Sequence, residues 1–186
     1  MNPMDLLSPS ALEVKTFGKN SNLPFVQVSS IGVVRTPGES IRLSVADEIP
    51  LFLGVKGSWL YGVSFSKEEA LEGEVFARIK MAFEQDGIDP SKVEAVLGPS
   101  LTFSHCPVSE EVVEKAYKDG LRLACKGTSG VKFIDPQMVT VFYLRRLGVK
   151  PENIFISDYD TFENPTLLYS ALRGDKEKNI IEGILR

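Results

Sequence analysis

The stretch Arg42 to Ser64, RLSVADEIPLFLGVKGSWLYGVS, decides how the rest of the chain is read. Leu51-Phe52-Leu53-Gly54-Val55 and Trp59-Leu60-Tyr61-Gly62-Val63 are rich in strand-forming residues, and Lys56-Gly57-Ser58 supplies the glycine of a short turn between them. Both runs are apolar at successive positions, so both faces of the hairpin are expected to be buried. Polar punctuation brackets the pair, Ala46-Asp47-Glu48 on entry and Ser64-Phe65-Ser66-Lys67 on exit. An antiparallel hairpin brings these two to the same end. Strand termini and loops gather side chains from distant segments, so any chemistry is expected there.

Working outward, residues 1–11 are proline- and serine-punctuated and read as a loose lead-in, with one α/β domain expected over residues 12–186. Leu12 to Phe17 and Leu23 to Val28 read as short strands about a turn-rich cluster at Gly18 to Asn22, and Ser29 to Arg35 as a further strand ending at Pro37-Gly38. After the hairpin, Ser66 and Glu69 have the spacing of a capping box, and one helix is expected from Lys67 to Gln85, closed by Gly87. Val93 to Leu97 reads as a strand feeding a Gly98-Pro99 loop able to approach a ligand closely. A second helix is expected from Ser109 towards Cys125, with Val112, Val113, Ala116 and Leu123 on its buried side. Lys126-Gly127-Thr128-Ser129-Gly130 reads as a flexible link. Asp135-Pro136 opens a third helix ending at Leu147-Gly148, and Ile154 to Ser157 reads as the final strand. Strands alternating with about three helices and no internal repeat indicate a single layered α/β domain with a mixed sheet.

The net charge of -4 carries no basic excess, so nucleic acid is not an expected partner. No apolar run approaches the ~20 residues that span a bilayer, and no secretory signal is visible in MNPMDLLSPSALEVK, so a cytoplasmic protein with reduced thiols and no membrane partner is expected. One histidine, His105, and two cysteines, Cys106 and Cys125, with no CxxC or HxxxH spacing, make a dedicated zinc or copper site an unfavourable reading. His105 and Cys106 are sequence neighbours whose side chains diverge, so a structural role is preferred to a nucleophile and base pair. The same alternation separates Asp47 from Glu48.

The order of short motifs resembles the multicopper polyphenol oxidoreductase (laccase) domain family, some of whose members act as purine nucleoside phosphorylases or adenosine deaminases. The resemblance is carried by Gln27-Val28-Ser29-Ser30, Ala46-Asp47-Glu48-Ile49-Pro50, Gly62-Val63-Ser64-Phe65, Gly98-Pro99, Lys132-Phe133-Ile134-Asp135, Asp160-Thr161 and Tyr169-Ser170-Ala171-Leu172-Arg173. It covers most of the chain from Phe25 onward and implies the laccase-domain fold, of the cytotoxic necrotizing factor-like cysteine hydrolase type. The family's metal ligands are two histidines and a cysteine, and the matching positions here are Ser29, Ser64 and Glu48. The resemblance therefore implies a pocket that has lost its metal chemistry, with no metal or other cofactor expected. Ser29, Glu48, Ser64 and Asp160 are its vestigial catalytic positions, and Arg173, Gly98 and Pro99 its candidate ligand-binding positions. Two functions follow. One is a binding or structural protein, a pseudoenzyme, whose old pocket takes a nucleoside-like small ligand, its protein partners unknown. The other is an active purine nucleoside phosphorylase or adenosine deaminase type of enzyme, in which Glu48, Asp160 and Arg173 line a rebuilt site.

Overall fold

The expected hairpin forms, and its two-sided burial sets the layers of the molecule. In the computed structural model, which describes residues 3–19, 31–128 and 130–186, strands β1 (Asp5–Leu7), β2 (Leu12–Phe17), β3 (Ile31–Val34) and β4 (Ser40–Val45) lead to β5 (Ile49–Val55) and β6 (Trp59–Phe65). Strands β5 and β6 pair antiparallel from Ile49 opposite Phe65 to Val55 opposite Trp59. They sit inside a five-stranded sheet of order β11-β7-β5-β6-β3, where β7 is Glu94–Leu97 and β11 is Ile154–Ile156. Only the β11–β7 pair is parallel, so this sheet is mixed.

Side chains alternate across the two faces of that sheet. Leu51, Leu53, Trp59, Tyr61, Val63 and Phe65 point to one core, packed beneath helices α1 (Lys67–Glu72), α2 (Glu74–Asp86) and α4 (Pro136–Arg146). Phe52 and Leu60 point the other way, against Leu12, Val14, Ile41, Leu43 and Ile181 of a second sheet of order β1-β2-β12-β4, with β12 at Asn179–Leu185. The molecule is thus sheet on sheet with a helical layer beyond. A small third sheet, β8 (Pro107–Val108), β10 (Val131–Ile134) and β9 (Cys125–Thr128), lies beside helix α3 (Glu110–Lys118). Among the described residues no helix is long and apolar enough to cross a membrane.

Among the glycines between the two sheets, Gly183 marks the tightest approach. A Cβ on Gly183 of β12 would stand 2.3 Å from Cδ1 of Phe52, a separation no side chain could occupy without displacing the ring. Phe52 is fully buried there, and burial of such a ring is worth about 1.5–3 kcal/mol.

Several elements differ from the reading of the sequence. The segment expected as a loose lead-in contains β1, which pairs with β2, and Asp5 accepts a hydrogen bond from Ser157 Oγ at 2.6 Å. The single helix expected over 67–85 is two, because Gly73 adopts φ +81 and closes α1 while its carbonyl starts α2. The capping box is present as expected: Glu69 N donates to Ser66 Oγ and Ser66 N to Glu69 Oε2. Helix α3 stops at Lys118 well short of Cys125, and Leu123, expected on its buried side, is 83% exposed. The expected flexible link contributes β9, paired with β10. Helix α4 begins as expected, Asp135 accepting from Met138 N, but it is the fourth helix and not the third. Strand β11 is not the last, since β12 follows and runs between β2 and β4. The expected strand Leu23 to Val28, and Ser29 after it, lie outside the described residues.

Candidate functional site

The polar end of the hairpin opens into two adjoining clefts that share one ion pair as their wall. Pairing of Ile49 with Phe65 puts Glu48 one residue before β5 and Ser64 one residue before the end of β6, at the same edge of the sheet. Glu48 and Lys178 border both clefts. One, of about 260 Å³, also has Asp47, Lys67, Glu68, Cys106 and Pro136 in its lining. The other, of about 290 Å³, is lined further by Ser44, Ser64, Glu69 and Arg78.

Glu48 does not project freely into either. Its Oε2 accepts hydrogen bonds from the amides of Ala46 at 2.7 Å and Asp47 at 3.2 Å, and its Oε1 from Lys178 Nζ at 3.1 Å. Burial works against its charge, but the turn's backbone amides and the Lys178 ammonium outweigh it, so the carboxyl titrates below its ordinary range. Among the described residues Ser44, Ser64 and Arg78 have no side-chain hydrogen bond or ion pair. Two hydroxyls and a guanidinium therefore face the second cleft with donors to offer.

Asp47 also borders the first cleft but takes different partners, because residues 46–48 form a bend between β4 and β5 and not the extended strand expected of them. Its Oδ1 accepts from Thr161 Oγ1 and its Oδ2 from Leu172 N, both at 2.7 Å, which ties the hairpin entry to the long irregular segment between β11 and β12. Asp47 is a fastening, not half of an acid and base pair with Glu48.

Asp160 is 4% exposed and belongs to a second fastening. Oδ1 accepts from the amides of Phe162 and Glu163, and Oδ2 from Thr102 N and Thr102 Oγ1, each between 2.7 and 2.9 Å. His105 Nδ1 lies 3.4 Å from Oδ2, with its ring against Phe162. Burial disfavours the charge, yet the Thr102 hydroxyl and the amides of Glu163, Thr102 and Phe162 keep this carboxyl below the usual range. His105 is thus engaged with Asp160 and Phe162. Cys106 lines the floor of the first cleft, where burial pushes its thiol up to about 11 and leaves it protonated.

Arg173 does not face the clefts. Its Nη1 donates to the carbonyls of Thr161 and Phe162, and its Nη2 to the carbonyl of Leu168 and to Asp175. A guanidinium so engaged holds a loop together and has little left for a ligand. Gly98 and Pro99 are buried, and a Cβ on Gly98 would meet Pro50 Cγ at 2.8 Å; neither lines a cleft. Of the expected positions, then, the structure brings Glu48 and Ser64 together, sets Asp160, Arg173, Gly98 and Pro99 into the supporting framework, and leaves Ser29 undescribed.

The reading of the sequence missed Lys178, Arg78 and Ser44. Lys178 lies in Asp175-Lys176-Glu177-Lys178, a charge run with the look of a solvated loop, and Arg78 has the spacing of a helix's wet face. Nothing in sequence distinguishes either from a surface cation. A metal centre does not fit the donors present: Glu48 is engaged by three donors, Ser64 offers a hydroxyl in place of an imidazole, and the described residues contain no group of three His, Cys, Asp or Glu able to hold an ion.

Comparison with known proteins places these features in a wider setting. A family profile described as multi-copper polyphenol oxidoreductase laccase matches residues 26–182. The chain is 27% identical over 137 residues to the purine nucleoside phosphorylase YlmD of Bacillus subtilis strain 168, a match that covers 72% of this chain and 49% of that protein. The chain therefore spans about half the length of this curated relative. Among solved structures it is similar in fold to the hypothetical protein YfiH of Bacillus licheniformis, with a TM-score of 0.73 at 18% identity over 85% of this chain and 62% of that one. YlmD from Geobacillus stearothermophilus gives a TM-score of 0.72 at 18% identity, covering 84% of this chain and 61% of the other.

Proposed function

Because this chain belongs to the multi-copper polyphenol oxidoreductase laccase family, we propose that it is a divergent member in which the ancestral pocket binds a nucleoside-like small molecule without metal-dependent catalysis. The observation that carries this reading is the Glu48–Lys178 pair. At the position matching the family's cysteine ligand, a carboxylate is neutralised by an ammonium 3.1 Å away and by two amides. The cation of the site is a side chain of the protein itself. An ammonium donates hydrogen bonds but offers no open coordination position, so it can hold a ligand oxygen without generating a bound hydroxide or polarising a bond as a Lewis acid does.

The surroundings support a small polar ligand. Ser44 and Ser64 hydroxyls and the Arg78 and Lys178 cations supply donors, while Glu48 and Glu69 supply acceptors, a set suited to ribose hydroxyls and purine ring nitrogens. Each cleft alone lies just below the ~300–1,000 Å³ of ordinary ligand pockets, and the two share Glu48 and Lys178 in their walls. Cytoplasmic residence, with neither nucleic acid nor membrane as partner, belongs to the same reading.

A second reading, an active phosphorylase or deaminase with a rebuilt site, rests on the similarity to the Bacillus subtilis phosphorylase. Asp160 and Arg173 are committed to the framework, so such a site would have to work from Glu48, Ser64, Arg78 and Lys178. Calorimetric titration with adenosine and inosine, beside turnover assays of each with and without phosphate, separates the two. Saturable binding that weakens in Glu48→Gln, with no turnover above a boiled control, is the expected result; turnover abolished by Glu48→Gln would establish the enzyme instead.

A further inference from the structure

Helix α4 buries one face completely, and its other side is only partly covered. Val139, Thr140 and Leu144 are buried in the core beneath the central sheet. Met138, Val141, Phe142, Arg145 and Arg146 recur at i, i+3, i+4, i+7 and i+8 along the opposite side, the spacing of a single helical stripe. A surface helix ordinarily turns charged residues outward, as α3 does with Glu110, Glu111 and Glu114. The stripe on α4 instead walls a groove of about 440 Å³ whose other wall is the short turn around Leu123. Leu123 is 83% exposed at its lip and Met138 37%. A small-molecule pocket encloses its ligand, whereas large apolar side chains standing proud at a rim are the mark of a face that meets another protein.

The charged side chains lining the groove are of one sign. Arg145 and Arg146 line the groove and no carboxylate does. Arg122, next to Leu123, lies over the Tyr117 ring at 5.8 Å and Arg146 over Phe142 at 5.1 Å. Among the described residues none of the three arginines has an ion pair. Three unpaired guanidiniums about an apolar groove, on a chain of net charge -4, form a local positive field that complements an acidic partner and repels a basic one.

We infer that this groove docks an acidic amphipathic helix of a partner protein, its apolar residues at i, i+3 and i+4 seated between Leu123 and the Met138–Phe142 stripe and its carboxylates on Arg122, Arg145 and Arg146. The arginine forks fix the orientation of the bound segment through bidentate pairing with carboxylates. The groove shares no lining residue with either Glu48 cleft.

The test uses the whole chain and a fluorescein-labelled designed helix of about 18 residues, long enough to hold helical structure, with leucines at helical spacing and glutamates elsewhere. Its control carries lysine for every glutamate. Saturable anisotropy with the acidic peptide, little with the basic one, and a loss of affinity of about tenfold or more in Arg145→Glu/Arg146→Glu and in Leu123→Asp is the expected outcome. These side chains are exposed, so unchanged circular dichroism and melting should accompany the loss. Absence of binding, equal binding of both peptides, or affinity unaltered in the variants overturns the inference. A concentration-dependent dimer of the unmodified chain that Leu123→Asp dissolves overturns it too, assigning the face to a second copy.

Discussion

Lys178 Nζ meets Glu48 Oε1 at 3.1 Å across 130 residues of sequence, and this contact divides the two clefts at the polar end of the hairpin. Glu48 titrates below its ordinary range despite its burial, held there by amides and the ammonium. A carboxyl whose folded value is depressed adds stability above its unfolded value, near ~4.3, and loses that contribution as pH falls through the folded value. Replacing Lys178 by Met removes one of the causes and leaves the amides in place. The Glu48 titration, followed by carboxyl NMR, should move upward. Stability should fall by about 0.5–1 kcal/mol, a small effect because the pair is partly exposed and screened by salt. An unmoved titration would show that the amides alone set the charge.

Asp160→Asn should cost more, about 2–3 kcal/mol in urea denaturation. Both oxygens of this buried carboxylate accept bonds, two from amides on one side and two from Thr102 on the other. An amide nitrogen in either place cannot accept and leaves buried donors unpaired. The depressed folded value predicts that the wild-type advantage over this variant is complete above the unfolded pKa and shrinks as pH drops through the folded one. Equal stability of the two proteins at neutral pH would falsify the fastening role.

Protein dialysed against chelator should carry far less than one zinc or copper per chain by mass-spectrometric metal analysis. The donor set at Glu48 and Ser64 is the reason. Stoichiometric metal surviving dialysis would mean that residues outside the described ones complete a site.

The two cysteines should remain unpaired under mild oxidation. Ile134 of β10 lies between them, its amide donating to Cys106 O at 3.0 Å while it stands opposite Cys125 in the β9 ladder. Two strand spacings of ~4.8 Å exceed the ~7 Å that a disulfide can bridge. With its thiol pushed up to about 11 and fully buried, Cys106 should react with a chromogenic disulfide reagent only after denaturant is added. Immediate reaction of two thiols in the native protein would count against the packing around Cys106.

Gly183→Ala should destabilise by about 1–3 kcal/mol or prevent folding, because the added methyl overlaps the Phe52 ring between the sheets. Phe52→Leu on that background should restore part of the loss by yielding space; thermal melts of the single and double variants measure this.

The hairpin was legible because its strand formers run unbroken up to a glycine turn, and the capping box because Ser66 and Glu69 act locally. Strand β12 was hidden by its own sequence. Glu182 and Gly183 interrupt Asn179–Leu185, and each makes sense only with a distant partner: Arg42 Nε donates to Glu182 at 2.7 Å, and Phe52 occupies the space over Gly183. Gly127 made β9 look like a link, although it pairs with Lys132. Of the site, Asp47 and Glu48 do take separate partners, but a bend at 46–48 and not strand alternation sets them. The cation that Glu48 requires was foreseeable in kind but not in identity, since Lys178 reaches it from a segment whose path no local pattern encodes.

Strand β12 lies between β2 and β4, and Arg42 waits 140 residues for Glu182. During vectorial synthesis the first-made strands therefore have no middle member to pair with, and the sandwich cannot close until residues 179–185 have left the ribosome. Until then one face of the hairpin, with Phe52 and Leu60, is open to any passing chaperone or neighbouring nascent chain. Closure of the sandwich is in that sense late relative to synthesis of β2 and β4, and a chain stalled before β12 is an aggregation hazard.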